Sequence, residues 1–127
     1  LASFFDIAPQ LYAEAAKNNL PVTGPIHWHY AGFTDVQKSF TLEISLPVGE
    51  IMRGYDGPFH FKRTDDFSCL SLVHEGNWYE MPRSYESLLS YAKENGLTPS
   101  GNNREIYVNV DFRNPDANVT EIQLGVL

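Results

Sequence analysis

The chain has 127 residues, of which 43% are hydrophobic, and this is enough to bury the core of one ordinary domain. No apolar run approaches the ~18 residues of a membrane helix, and a single cysteine excludes an internal disulfide, so a cytoplasmic protein with no membrane partner is expected. Sixteen acidic residues outnumber 9 basic ones, and the net charge of −7 disfavours nucleic acid and favours a cationic partner.

The first half of the chain predicts a helix followed by two strands. The helix is expected from about Asp6 to Asn18, with Pro9 tolerated because it falls in the first turn and with Asn19 ending the helix. The strands are expected at Ile26–Ala31 and Ser39–Val48. A loop and a short strand or linker connect this half to the next.

The second half predicts a complete β-α-β-β unit. Its strands are expected at Phe67–His74, Asn103–Asp111 and Asn118–Val126. The helix begins at Pro82 or Ser84, runs to Asn95 and is stopped by Gly96. Its apolar stripe, which should be buried, comprises Met81, Tyr85, Leu88, Leu89 and Ala92.

The two halves resemble each other in sequence. Ala16–Tyr30 matches Ala92–Tyr107 once one gap is allowed, and the closing segment TLEISLPV matches VTEIQLGV. These identities predict an α+β fold of duplicated β-α-β-β modules, in which a curved antiparallel sheet carries two helices on one face. The whole chain forms a single domain, with repeat 1 at about 1–48 and repeat 2 at about 67–127. No strand precedes the first helix, so the first strand of the first module is apparently missing.

Strand alternation assigns the side chains of this sheet to two faces. The aliphatic side chains, including Ile106, Val108 and Val110, are expected beneath the helices. The opposite face is expected to carry Glu43, Glu105, Glu121, Trp28, Tyr30 and Tyr107. Carboxylates among aromatic rings suit a partly apolar cation, whereas a plain polar surface or a dimer contact is the alternative.

The helix end AKENG, the following SG and REIY, and the closing EIQLGV strand resemble the GyrI-like effector-binding domain. This family of SHS2-type duplications includes ligand domains of AraC-type and MerR-type multidrug regulators as well as free-standing proteins. The resemblance covers Leu11–Val126 and implies a ligand pocket between the modules. It implies that Glu105 meets cationic drugs, with Tyr107 and Tyr30 as pocket aromatics and with Trp78 and Tyr79 at the rim.

The function expected is binding of a small cationic, aromatic or lipophilic molecule, by a free-standing protein or by the effector-sensing part of a transcription regulator. No cofactor or metal is expected, and binding is favoured over catalysis. The pair His27 and His29 has metal-binding spacing, but no further ligand lies nearby in the sequence. No helix-turn-helix pattern is present, so this segment is not expected to contact DNA. A hydrolase that uses Glu105 and Tyr107 and a gyrase-inhibitor-like protein-interaction module remain as alternatives, and a protein partner or dimer stays open.

Overall fold

The computed structural model describes residues 2–32 and 40–127. The helices and strands follow the predicted order: α1 (Ala2–Lys17), β1 (His27–Ala31), β2 (Thr41–Ser45), β3 (Cys69–Glu75), α2 (Met81–Glu94), β4 (Pro99–Asn109) and β5 (Val119–Val126). Short 3-10 turns precede α2 at Trp78–Glu80 and β5 at Pro115–Ala117. The segment from 58 to 63 forms no strand and is a linker. None of the described helices has the length and apolar character required to cross a membrane.

Most boundaries lie within three residues of those predicted, and two differ by four residues. Helix α1 begins at Ala2, so Pro9 lies inside the helix rather than in its first turn. A proline removes one N–H donor and crowds the preceding turn, which weakens a helix without necessarily ending it. Strand β4 begins at Pro99, before the predicted start at Asn103, because a register shift between these two residues extends its pairing with β5.

The strands form one antiparallel sheet in the order β2-β1-β4-β5-β3. Helix α1 packs against β2, and α2 packs against β3 and β5 on the same face, as predicted. The middle strands β1 and β4 therefore lie beneath the gap between the helices. Among residues 2–32 and 40–127, no strand occupies the place beside β2 that would correspond to β3 in the second module.

The ends of the two helices confirm the duplication. Asn19 and Gly96 both adopt left-handed backbone conformations, with φ of 55° and 66°. After each of them a leucine N–H donates to an alanine carbonyl one turn back, from Leu20 to Ala15 at 2.9 Å and from Leu97 to Ala92 at 2.8 Å. Asn19 therefore corresponds to Gly96, and the repeats align through the helix ends without the gap that the sequence comparison required.

The register of the middle strands confirms the duplication a second time. Trp28 lies directly opposite Glu105 in the β1–β4 pair. Since these two residues are also repeat equivalents, the pseudo-twofold axis passes between them. The outer neighbours obey the same symmetry, because Ile44 pairs with Trp28 and Ile122 pairs with Glu105.

The main core lies under α2. It consists of Met81, Leu88, Ile122 and Leu124, with Leu70, Leu72, Trp78 and Tyr85 packed around them. Leu88 is 6% exposed, whereas Leu89 is 45% exposed, so the expected burial of Leu89 is wrong. Helix α2 contacts the sheet through one narrow stripe of side chains that includes Leu88. Leu89 is the next residue along the helix, so its side chain is rotated away from this stripe toward solvent.

Candidate functional site

The candidate site lies on the helix-bearing face of the sheet, and the predicted placement on the opposite face is wrong. Glu105 pairs directly with Trp28 and with the core residue Ile122, and directly paired side chains point to the same face. Glu105 is 6% exposed, whereas Val108, which the alternation placed under the helices, is 56% exposed. Aliphatic alternation locates the core only where the inward face of a strand is packed with apolar groups, and the inward face of β4 is polar.

Three phenol groups converge on the Glu105 carboxylate. The Tyr107 hydroxyl donates to Oε1 at 2.5 Å, and the Tyr85 hydroxyl, from α2, donates to Oε2. The Tyr30 hydroxyl also forms a hydrogen bond to this carboxylate. Tyr30 and Tyr107 are repeat equivalents on either side of the pseudo-twofold axis, whereas the position of Tyr85 is taken by Ala8 in α1. The buried carboxylate thus receives hydrogen bonds from neutral donors in place of water.

The carboxylate in turn keeps these phenols protonated. Burial, followed by the negative charge of Glu105, raises the pKa of Tyr30, Tyr85 and Tyr107 well above the usual tyrosine range. At neutral pH each phenol is therefore a hydrogen-bond donor or a weak acid and is not a phenolate.

No basic side chain neutralises Glu105 within the described part of the chain. The ion pair found among the described residues joins Lys62 Nζ to Glu43 Oε1 at 2.7 Å. It lies on the opposite face of the sheet, because Glu43 pairs with His29 and His29 pairs with Arg104, which precedes Glu105 in β4. Burying a charge without an opposite charge beside it is costly. The phenol hydrogen bonds lower this cost, but no basic side chain of the described residues balances the negative charge of Glu105.

Aromatic rings surround the carboxylate. Tyr107 makes edge-to-face contacts with Trp28 and with Trp78, at centroid separations of 5.5 Å and 5.6 Å. Trp28 also contacts Tyr30 at 6.5 Å. The faces of such rings carry partial negative charge and attract cations. The site therefore combines a full negative charge with aromatic surfaces.

Polar contacts hold Trp78 itself and the loop that contains it in place. Its indole N–H donates to the hydroxyl of Thr120, which is fully buried, at 3.1 Å. The neighbouring loop is tied down by buried His74, whose Nε2 donates to the Asn77 carbonyl at 2.9 Å and whose Nδ1 bonds the Ser84 hydroxyl at 2.7 Å. Strand β3, the loop and the first turn of α2 are thereby fixed to one another.

Five of the seven residues predicted for the site come together, namely Glu105, Tyr107, Tyr30, Trp28 and Trp78. Glu43 does not join them, because its position in β2 directs it to the opposite face, where it bonds Lys62. Tyr79 is 92% exposed and lies outside the cluster, so its place at a rim stays a prediction. Tyr85 was predicted as part of the buried stripe of α2 and not as a site residue, although a tyrosine on such a stripe needs a partner for its hydroxyl.

Two cavities lie elsewhere on this face of the domain. One of about 50 Å³ under α1 is lined by residues that include Leu11 and Glu14, and it is too small for an organic ligand. The other, of about 420 Å³, lies between α2 and β3 and has no charged residue in its lining. Neither is lined by Glu105, and neither offers the buried charge that would orient a ligand.

The described residues contain no group of three or more metal-ligating side chains that could hold a metal ion. His27 and His29 lie on the face opposite Glu105, where burial, followed by the charge of Arg104, lowers the pKa of each. Both imidazoles therefore favour the neutral form.

A duplicated β-α-β-β sheet with an acidic, aromatic site between two helices defines a small-molecule-binding domain. The family model of the GyrI-like small molecule binding domain matches residues 6–127, and the chain belongs to this family. A search of curated proteins finds no match.

The fold is also similar to solved structures of EcmrR. The EcmrR C-terminal domain superposes with a TM-score of 0.74 at 19% identity, over 100% of this chain and 84% of that chain. EcmrR in a complex with DNA superposes with a TM-score of 0.76 at 20% identity, over 98% of this chain and 48% of that chain. The chain thus spans about half the length of EcmrR in that complex, and at these identities the likeness establishes the fold alone.

Proposed function

We propose that this domain binds a lipophilic organic cation and that the Glu105 carboxylate pairs with the positive charge of the ligand. The observation that carries the proposal is the buried Glu105 carboxylate, which accepts hydrogen bonds from phenols and has no basic partner in the described part of the chain. An incoming cation supplies the missing charge, and the rings of Trp28, Tyr107 and Trp78 supply surfaces for its apolar groups. The net charge of −7 favours the approach of cations.

The test compares a cation with a neutral molecule of similar aromatic content. Tetraphenylphosphonium and triphenylphosphine oxide are titrated into the wild type and into Glu105→Gln, which keeps the shape of the side chain and removes its charge. Both tryptophans of the chain, Trp28 and Trp78, belong to the site, so their fluorescence reports binding directly. Glu43→Gln is the matched control, because it removes the same charge from the opposite face.

We expect Glu105→Gln to weaken binding of the phosphonium at least about tenfold, which corresponds to ~1.4 kcal/mol. Binding of the phosphine oxide should change less than about threefold, and Glu43→Gln should change neither by more than the weak screened effect of a surface charge. Equal losses for the cation and the neutral molecule in Glu105→Gln would reduce Glu105 to a structural role and overturn the proposal.

A second function at the same site is hydrolysis, and the phenol–carboxylate contacts favour it as the alternative. A carboxylate that activates water beside protonated tyrosines is a residue set suited to general acid–base chemistry. Turnover of a simple ester such as 4-nitrophenyl acetate, lost in Glu105→Gln and kept in Glu43→Gln, would support this function. Binding of the phosphonium without any turnover would support the binding function alone.

The fold shared with EcmrR, which was solved in complex with DNA, supports a role as the effector-sensing part of a transcription regulator. A free-standing ligand binder is the other form of the same proposal. Both forms need ligand binding at Glu105, and the Glu105→Gln titration tests the binding step that they share.

A further inference from the structure

A continuous row of aromatic rings crosses the helix-bearing face of the sheet. Each ring contacts the next, with centroid separations from 5.5 Å to 6.5 Å. In spatial order the row is Phe40, Tyr30, Trp28, Tyr107, Trp78 and Phe112. It therefore runs from the loop before β2, over the middle strands, to the loop after β4.

A buried carboxylate, that of Glu105, lies at the middle of this row, where it accepts a hydrogen bond from the Tyr107 hydroxyl. Glu105 and Trp28 flank the pseudo-twofold axis. The equivalent tyrosines Tyr30 and Tyr107 stand on either side of that axis, and both donate hydrogen bonds to Glu105. Rings continue outward beyond each tyrosine, to Phe40 on one side and to Trp78 on the other. The duplication thus places one negative charge at the centre of two aromatic arms.

The surroundings of the row leave its ends the most accessible. Helix α1 covers β2, and α2 covers β3 and β5, so the row crosses beneath the gap between the helices. Phe40 is 41% exposed and Phe112 is 72% exposed at the two ends, whereas Glu105 in the middle is 6% exposed. A ligand that pairs with Glu105 and lies along the row would direct apolar groups both ways from its charge.

We propose that the preferred ligand class is an organic cation whose charge lies at its centre, between two aromatic arms. This inference rests on the proposed binding function and adds where the charge sits within the ligand. A cation with its charge at one end fills a single arm and leaves the rings of the other arm without contact.

Two isomeric cations separate these ligand shapes. Dibenzyldimethylammonium carries its nitrogen between two benzyl groups, and (4-phenylbenzyl)trimethylammonium carries the same atoms with both rings on one side. Because the two share one formula and one charge, their hydrophobicity and their attraction to an acidic protein are closely matched. Each is titrated into the wild-type protein by calorimetry, with tetraphenylphosphonium as the reference cation.

We expect the dibenzyl cation to bind at least about fivefold more tightly than its isomer. In Trp78→Leu, which shortens one arm, this preference should fall to less than about twofold, because each cation then has one complete arm. If Trp78→Leu fails to fold, the wild-type comparison still decides the question.

Equal affinities, or tighter binding of the phenylbenzyl isomer, would overturn the two-armed ligand while leaving cation binding intact, provided that tetraphenylphosphonium binds. Failure of all three cations to bind would overturn the proposed function and this inference together. A preference for the dibenzyl cation that persists undiminished in Trp78→Leu would also contradict the inference, because the preference would then not come from the second arm.

Discussion

Replacing Tyr85 with phenylalanine removes one oxygen atom from the centre of the site. The lost hydroxyl is the donor that joins α2 to Oε2 of Glu105. A hydrogen bond to a charged group contributes about 1.5–3 kcal/mol, and the shape of the ring is unchanged. We therefore expect Tyr85→Phe to lower the free energy of unfolding by about 1.5–3 kcal/mol, chiefly by leaving the buried carboxylate with one donor fewer.

The assay is urea denaturation followed by far-UV circular dichroism, with thermal melting as a second measure. For a domain of this size each kcal/mol shifts the melting midpoint by about 3–5 °C, so a drop of roughly 5–15 °C is expected. Tyr91→Phe is the matched control, because Tyr91 lies on the same helix and is 54% exposed. Its effect should stay within about 0.5 kcal/mol.

A double-mutant cycle with Glu105→Gln isolates the contact itself. If the hydroxyl acts through the charge of Glu105, the coupling energy between the two substitutions should exceed about 1 kcal/mol. A coupling below about 0.5 kcal/mol, or a Tyr85→Phe variant no less stable than Tyr91→Phe, would refute the view that the phenol stabilises the carboxylate.

Three further predictions test the core, the phenols and the placement of the indole. Leu88→Ala should cost about 2–5 kcal/mol of unfolding free energy, while Leu89→Ala costs less than about 1 kcal/mol; similar losses would contradict the burial of one stripe on α2. The three tyrosines around Glu105 have raised pKa values in the folded state, so their contribution to stability is complete below about pH 10 and is lost as pH rises further. Absorbance at 295 nm should show them ionising only as the circular dichroism signal is lost, and reversible ionisation of every tyrosine near pH 10 in folded protein would be inconsistent with the site. Thr120→Val keeps the size of a fully buried side chain and removes the acceptor of the Trp78 N–H, so it should cost about 1–3 kcal/mol and shift the tryptophan emission; an unchanged spectrum and stability would argue against this contact.

The repeated sequence carries enough information to predict the order of the elements and the duplication. Periodicity of 3.6 residues marks the helices, alternation marks the strands, and left-handed residues such as Asn19 and Gly96 mark where the helices end. These signals are local, because each depends on a few neighbouring side chains and on backbone geometry. The same local comparison aligned Trp28 with Glu105, and only the strand register shows that these two repeat equivalents lie opposite each other.

The face on which the site lies was decided only by the tertiary structure. Alternation divides β4 into two sets of side chains, but it does not say which set meets the helices, and the aliphatic set was the wrong choice. The pairing of Glu105 with Ile122 settles this, and it depends on how β4 and β5 align across the sheet. Glu43 was misplaced for the same reason, since a β1–β2 register one residue different would have turned it to the face that carries Glu105. The hydroxyl of Tyr85 reaches the carboxylate only because α2 folds back onto β3 and β5, beside β4, and a contact between residues so far apart leaves no periodic trace in the sequence.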